Sequence, residues 1–271
     1  MVKRLFIIFG LVSLLNANEL MQQIESIIGH KNYQIQKKLI KIIFKNENLY
    51  YKNGRVDIVK VAKKLKKEGL LNIYLKSPQN MEITFTTTGN PLLFLKNVRD
   101  SLRDTGYGFF TTKRAKRIGE NFEWVISLKS ESLIDPEIFG KELSKRGILI
   151  NKIQRVNLYQ WEYELDNSQA QVISRQVKSS DTLTLKKPLE DYWLNLIDSP
   201  SHIEIKSNPH DIWHPYIVFY DPYLRIVGKF IQNSKMKEVK LEIPPSTKYI
   251  KISDFYSLSN IKRGLNIHLY P

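Results

Sequence analysis

Apolar side chains recur at spacings near 3.6 residues through the first part of the chain: Met21, Ile24, Ile27 and Ile28, then Ile35, Leu39, Ile40 and Ile43. That period predicts two helices with one buried face, separated around Gly29 and Asn32. After a turn at Lys52-Asn53-Gly54, Asp57 is placed to cap a third helix. Its apolar stripe is Ile58, Val61, Ala62 and Leu65, and Gly69 ends it. The opposite face carries Lys60, Lys63, Lys64, Lys66 and Lys67, which read as a solvated lysine surface.

The period then changes to two. Met81, Ile83 and Phe85 alternate with Glu82, Thr84 and Thr86, the pattern of a half-buried strand. Asn90-Pro91 supplies an N-cap and an N1 proline, Leu95, Val98 and Leu102 give the helix a buried face, and Gly106 suits its C′ position. A strand is expected near Phe109–Lys113 and another at Phe122–Leu128. Asp135-Pro136 opens a second capped helix, which Gly147 closes ahead of a strand over Ile148–Ile153. Asn157–Leu165 reads as an extension of that strand. The order β-α-β-β-α-β, with two Asx-Pro starts about 45 residues apart, predicts a duplicated, ferredoxin-like unit.

Residues 167–187 are rich in Ser, Gln, Thr and Lys and read as a linker. Beyond Pro188 come about seven short alternating runs without a helical stretch, which predict an antiparallel β-sandwich. The expected fold class is therefore α+β. A helical N-terminal region spans 18–75, a ferredoxin-like βαββαβ domain 76–166, and a sandwich 188–271.

Two cations ahead of the apolar run Leu5–Leu15, followed by Asn16-Ala17-Asn18, have the layout of a secretory signal peptide over 1–17. The run is shorter than the ~18–20 residues that cross a bilayer, so an uncleaved anchor is the weaker reading. Cleavage after Ala17 and a periplasmic location follow, with no transmembrane segment in the mature chain. The 271 residues contain no cysteine, which excludes disulfides, zinc–thiolate sites, iron–sulfur clusters and thiol nucleophiles. The 42 Lys and Arg exceed the 27 Asp and Glu, a net charge of +15. Nearly all the excess precedes Pro188. Export removes nucleic acid as the partner of this charge and leaves anionic lipid, acidic glycan or an acidic protein face.

Lys113, Arg114, Lys116 and Arg117 form a compact cationic cluster within five residues, in or just after the second strand of the ferredoxin-like unit. Two readings stay open for it: a docking surface for an anionic partner, or charges that block unwanted pairing of an edge strand. Among the aromatic residues of the C-terminal part, Trp213 and Tyr223 stand beside Pro and Asp in expected loops and are the candidates for stacking on a sugar ring. His202, His210 and His214 fall close together, but Pro209 and Pro215 spoil any helical metal spacing. No serine sits in a nucleophile elbow and no glycine-rich phosphate loop is present. No catalytic, cofactor-binding or metal residue is assigned, and a non-enzymatic role is expected.

Several runs together resemble a known family. These are Glu25-Ser26-Ile27-Ile28-Gly29 through Tyr33, Leu39–Phe44, Gly69-Leu70-Leu71 after the lysine-rich helix, Asn90-Pro91-Leu92-Leu93-Phe94, Tyr249–Asp254 and Ile261-Lys262-Arg263-Gly264. They are similar to secreted proteins associated with flagellar motility in polar-flagellated Gram-negative bacteria, over nearly the whole mature chain. The resemblance implies a location and a process and transfers no site residue. The expected function is a periplasmic accessory protein docking onto a motor component or the cell wall. The alternative is a peptidoglycan- or glycan-binding protein, less readily a hydrolase, that uses the C-terminal sandwich.

Overall fold

A computed structural model describes residues 19–271; the expected signal peptide lies outside the described residues. The fold is mixed α+β, with two compact units, one running to Gln171 and the other from Val172 to Pro271. In the first unit, α1 (described over residues 19–28) and α2 (His30–Ile43) are separated at Gly29, where φ is +85°. Asn32 does not break a helix. Its side-chain amide donates to the Ile28 carbonyl across the junction, at 3.0 Å. Of the apolar positions expected on one buried face, Ile24, Ile27, Ile28 and Ile40 are buried, whereas Ile35 and Leu39 face solvent.

A 3-10 turn (Glu47–Tyr50) leads into a hairpin of β1 (Tyr51–Lys52) and β2 (Arg55–Val56). Asn53 and Gly54 both have positive φ there, the geometry that Asn-Gly favours between paired strands. Asp57 caps α3 (Ile58–Lys67) by accepting from the Lys60 backbone N–H at 3.0 Å. Ile58, Val61, Ala62 and Leu65 are its buried stripe.

Next come β3 (Tyr74–Thr87), α4 (Pro91–Asp104), β4 (Thr111–Ile118), β5 (Asn121–Ser132), α5 (Pro136–Ser144), β6 (Leu149–Arg155) and β7 (Gln160–Asp166). Asn90 and Asp135 cap their helices with side-chain oxygens, each followed by a proline at the first helical position. The sheet has the order β4-β5-β3-β7-β6. A four-stranded ferredoxin-like sheet would seat β6 beside β3; here β7 occupies that place, parallel to β3 and antiparallel to β6.

Burial accounts for the exchange. Trp161, Tyr163 and Leu165 give β7 an unbroken buried face, whereas β6 buries only Ile150 and Ile153 across a register shift. The more apolar strand takes the interior position. Asn157 makes the reversal, because its side-chain oxygen accepts from the backbone N–H groups of Tyr159 (2.8 Å) and Gln160 (3.0 Å). Residues 157–165 therefore turn back instead of extending the preceding strand.

Phe85 lies at the centre of the resulting core, 5.8 Å from Trp124, 5.8 Å from Phe139 and 5.5 Å from Tyr163 between ring centroids. The N-terminal helices belong to the same core, in which Ile24, Ile40 and Phe44 join Ile83, Leu143 and Ile153. The helical region read as separate up to residue 75 is thus part of the first unit. α1 also covers the outer edge of β6, where Ser26 Oγ donates to the Ile153 carbonyl at 2.6 Å.

The second unit contains β8 (Arg175–Val177), β9 (Thr182–Leu185), β10 (Tyr192–Leu196), β11 (His202–Ser207), β12 (Pro215–Tyr220), β13 (Ile226–Ile231), β14 (Glu238–Glu242), β15 (Tyr249–Asp254) and β16 (Leu265–Tyr270). They form two sheets, β13-β12-β15-β10-β8 and β14-β11-β16-β9, around one apolar core. The segment expected as a linker is built into the structure. Asn167 is buried, donating to the Asn90 carbonyl (2.9 Å) and accepting from the Thr87 hydroxyl (2.8 Å), while β8 and β9 pair into the two sheets. Their polar residues point outward, and only Val177, Leu183 and Leu185 are buried.

Two glycines are fixed by close approach as well as by conformation. A Cβ on Gly147 (φ +71°) would lie 2.0 Å from the Gln169 carbonyl oxygen, and one on Gly264 (φ +85°) would lie 1.8 Å from that of Leu185. Gly119 (φ +60°) opens onto free space. Gly119→Ala should therefore cost only the left-handed backbone penalty, about 1–2 kcal/mol. Gly147→Ala and Gly264→Ala should exceed the ~0.5–3 kcal/mol common for point substitutions. Denaturant melts of the three variants check this order.

Candidate functional site

The four cations singled out in the sequence all lie on β4, which among the described residues pairs only with β5 and ends the sheet. Every residue of β4 is exposed. The expected strand near Phe109–Lys113 begins later, at Thr111, and Phe109 precedes it with its ring in solvent. The pairing breaks register between Thr112 and Arg114, so Lys113 is the unpaired residue of a bulge. Beyond it, Arg114 lies opposite Val125 and Lys116 opposite Glu123, on the face away from the helices. Arg117 lies opposite the buried Phe122, on the other face.

The cluster is therefore divided between the two faces of the strand. Arg114 is engaged internally: its Nε donates to Glu123 Oε1 at 2.6 Å, which raises the guanidinium pKa above its ordinary value. Lys113, Lys116 and Arg117 make no ion pair among the described residues. The helix-free face beside them is polar, with Glu82, Thr84 and Thr86 on β3 and Glu162 and Glu164 on β7.

The lysine-rich face of α3 is partly structural. Lys66 Nζ reaches Asp135 Oδ2 at 2.5 Å and Glu137 Oε2 at 3.0 Å, tying α3 to the start of α5. Burial works against the Lys66 charge, but the two carboxylates prevail and its pKa is raised. The hydrogen bond from Lys141, aided by Lys66, holds the Glu137 carboxyl below its usual range. Lys64 pairs with Glu68 at 2.8 Å. The solvated-face reading therefore fails for Lys66, whose partners are remote in sequence.

In the second unit the two stacking candidates separate. Trp213 is 0% exposed and its indole N–H donates to the Ser253 carbonyl at 3.0 Å, so no ring face is open to a sugar. Its place in a loop between Asp and Pro suggested exposure; the loop folds inward on Asp254 instead. The Asp254 carboxylate accepts from the backbone N–H groups of His214 (2.7 Å), Tyr256 (2.9 Å) and Ser257 (2.9 Å), and from the Asn260 amide (2.9 Å).

Tyr223 is 54% exposed, with the Arg225 guanidinium 5.4 Å from its ring centroid. Phe255 and Tyr256 are also exposed, edge to face at 4.9 Å, and Tyr256 meets His214 edge-on at 4.8 Å. Sequence reasoning gave these two no special weight, although their position directly after a strand was a signal. His202 contacts the neighbouring Ser201 hydroxyl at 2.8 Å and His210 is exposed. Among the described residues no three His, Cys, Asp or Glu side chains group as metal ligands.

The first unit also has a broad cleft of about 840 Å³ between the α1–α2 junction and the β6–β7 turn, lined in part by Glu25, His30, Lys31, Lys152 and Arg155. His30 Nδ1 and Glu25 Oε1 lie 2.6 Å apart at its rim. None of the helices among the described residues is long and apolar enough to cross a membrane.

No protein-family model and no curated protein matches this chain. Among solved structures, the pre-peptidase C-terminal domain of a collagenase from Bacillus anthracis is similar over 36% of this chain and 92% of its own, at 13% identity and a TM-score of 0.24. A likeness that weak carries no argument about function.

Burial opposes ionisation of Asp254, but its four donors outweigh burial and hold the carboxyl below its usual range. The stabilisation is present above the ordinary carboxylate pKa and is lost as pH falls through the lower folded-state value. Asp254→Asn should cost about 2–3 kcal/mol at neutral pH, the scale of hydrogen bonds to a charged group. It should also flatten the loss of stability between about pH 5 and pH 2. Thermal melts across that range, variant against wild type, measure both effects.

Proposed function

We propose that this protein is a non-enzymatic periplasmic accessory factor supporting flagellar motility, and that it docks onto an anionic face of a motor component or of the surrounding cell wall through the β4 edge. The motility link rests on the sequence resemblance described above. The observation that carries the docking surface is the exposed free edge of β4, where Lys113, Lys116 and Arg117 have no ion-pair partner among the described residues. On this reading the first unit is a ferredoxin-like fold enlarged by β7, and the second is a β-sandwich.

A second reading has the C-terminal unit binding peptidoglycan or another glycan. It is favoured by the exposed rings of Tyr223, Phe255 and Tyr256.

Charge reversal separates docking from simple edge protection. Lys113→Glu/Lys116→Glu/Arg117→Glu leaves Arg114–Glu123 intact and keeps the edge charged, so protection against strand pairing persists. Folding should change by no more than about 0.5 kcal/mol per site. Capture of a periplasmic partner by the tagged chain should weaken about tenfold or more and lose its salt dependence, and swimming in soft agar should fall. Undiminished capture and motility would overturn the β4 assignment. Retention by sedimented peptidoglycan that is lost in Tyr223→Ala/Tyr256→Ala would favour the glycan reading.

A further inference from the structure

Helix α2 has a second apolar row that the core does not use. Tyr33 and Ile40 are its buried residues, whereas Ile35, Leu39 and Ile42 are 72%, 47% and 68% exposed. At 100° per residue the exposed three fall within about 60° of one another, on the side opposite Tyr33 and Ile40. They form a convex ridge. Beside it run Lys31 and Lys38, seven residues apart, with Lys41 next to them, and Lys45 follows just past the C-cap Phe44. The helix contains no acidic residue, and Lys31, Lys37, Lys38, Lys41 and Lys45 make no ion pair among the described residues.

This arrangement differs from the other lysine-rich surfaces of the molecule. On α3 the apolar stripe is buried and Lys66 and Lys64 have carboxylate partners. On α2 an unburied apolar row and an uncompensated cationic row run side by side along the same solvent face. We infer that α2 is an interfacial helix that lies on an anionic phospholipid surface, with Ile35, Leu39 and Ile42 entering the headgroup–acyl boundary and Lys31, Lys38, Lys41 and Lys45 at the phosphates.

The shape and charge select this occupant. A bilayer interface offers apolar depth and negative charge at one level and yields around a convex ridge, which is what a helix with an apolar face and a lysine flank requires. Lysine stems add apolar contact while their ammonium groups remain at the headgroups. A second copy of α2 would meet the ridge with three apolar positions, short of the several heptads that sustain a helix pair. It would supply no negative charge to the lysine row.

The absence of cysteine makes a site-specific test direct. Leu39→Cys in the full chain, labelled with an environment-sensitive nitrobenzoxadiazole fluorophore, reports the polarity at the ridge itself. Adding vesicles of phosphatidylcholine mixed with phosphatidylglycerol should shift the emission to the blue. Vesicles of phosphatidylcholine alone should shift it far less, and salt should reverse the effect. In Lys31→Glu/Lys38→Glu/Lys45→Glu, with the fold checked by circular dichroism, the apparent vesicle affinity at this position should fall by about a hundredfold. Unchanged emission with anionic vesicles would overturn the inference. So would a shift of equal size with both lipids, or one that grows with protein concentration in the absence of vesicles, which would point to self-association.

Discussion

An open sheet ends in two strands whose outward N–H and C=O groups lack a ladder partner, and the first unit is organised around how those two ends are treated. At one end, α1 lies against β6 and Ser26 donates to a carbonyl of that strand, so the edge is covered by the chain's own helix. At the other, β4 is left open, bulged at Lys113 and lined with cations. Covering the β6 edge draws the N-terminal helices into the sheet's core. Leaving the β4 edge open gives the five-stranded sheet a margin that another molecule can approach strand to strand.

The same asymmetry governs the faces. Helices pack on one side, so Phe85 and Tyr163 are buried against Phe139 of α5 while Glu82, Glu123 and Glu162 remain on the helix-free side. The excess of positive charge is carried instead by helices and by the β4 edge. Such separation of charge within one unit favours partners that meet an edge or a helix over those that meet the open sheet face.

Local chemistry was legible and pairing was not. Asp57, Asn90 and Asp135 announce helix starts because capping depends on neighbours two or three residues away. The strand patterns of Met81–Phe85 and Phe122–Leu128 are likewise local. Which strand would lie beside β3 depends on the relative burial of β6 and β7 and on one Asx turn at Asn157, and no period in the sequence encodes it. β8 and β9 were missed because three or four residues give alternation too little room to appear. Within the candidate sites, the sequence located the β4 cations but could not reveal the bulge that divides them. It placed Trp213 in a loop without showing that the loop turns inward. The outward row of α2 was misread because Ile35 and Leu39 share an apolar identity with Ile40, and periodicity does not tell which of two apolar rows meets the core.

The insertion of β7 has a consequence for the order in which the chain becomes structured. Ile83 pairs with Trp161, about 80 residues later, so the central parallel contact closes a long loop and must wait for nearly all of the first unit to be present. Until then β3 has only β5 beside it, and its other edge presents unpaired N–H and C=O groups next to the apolar side chains of Met81, Ile83 and Phe85. β6 cannot fill the gap, because its own place is set by β7. A nascent first unit therefore passes through a stage in which its central strand is half-paired. That is when association with another chain or retention by a chaperone competes most strongly with completion of the sheet.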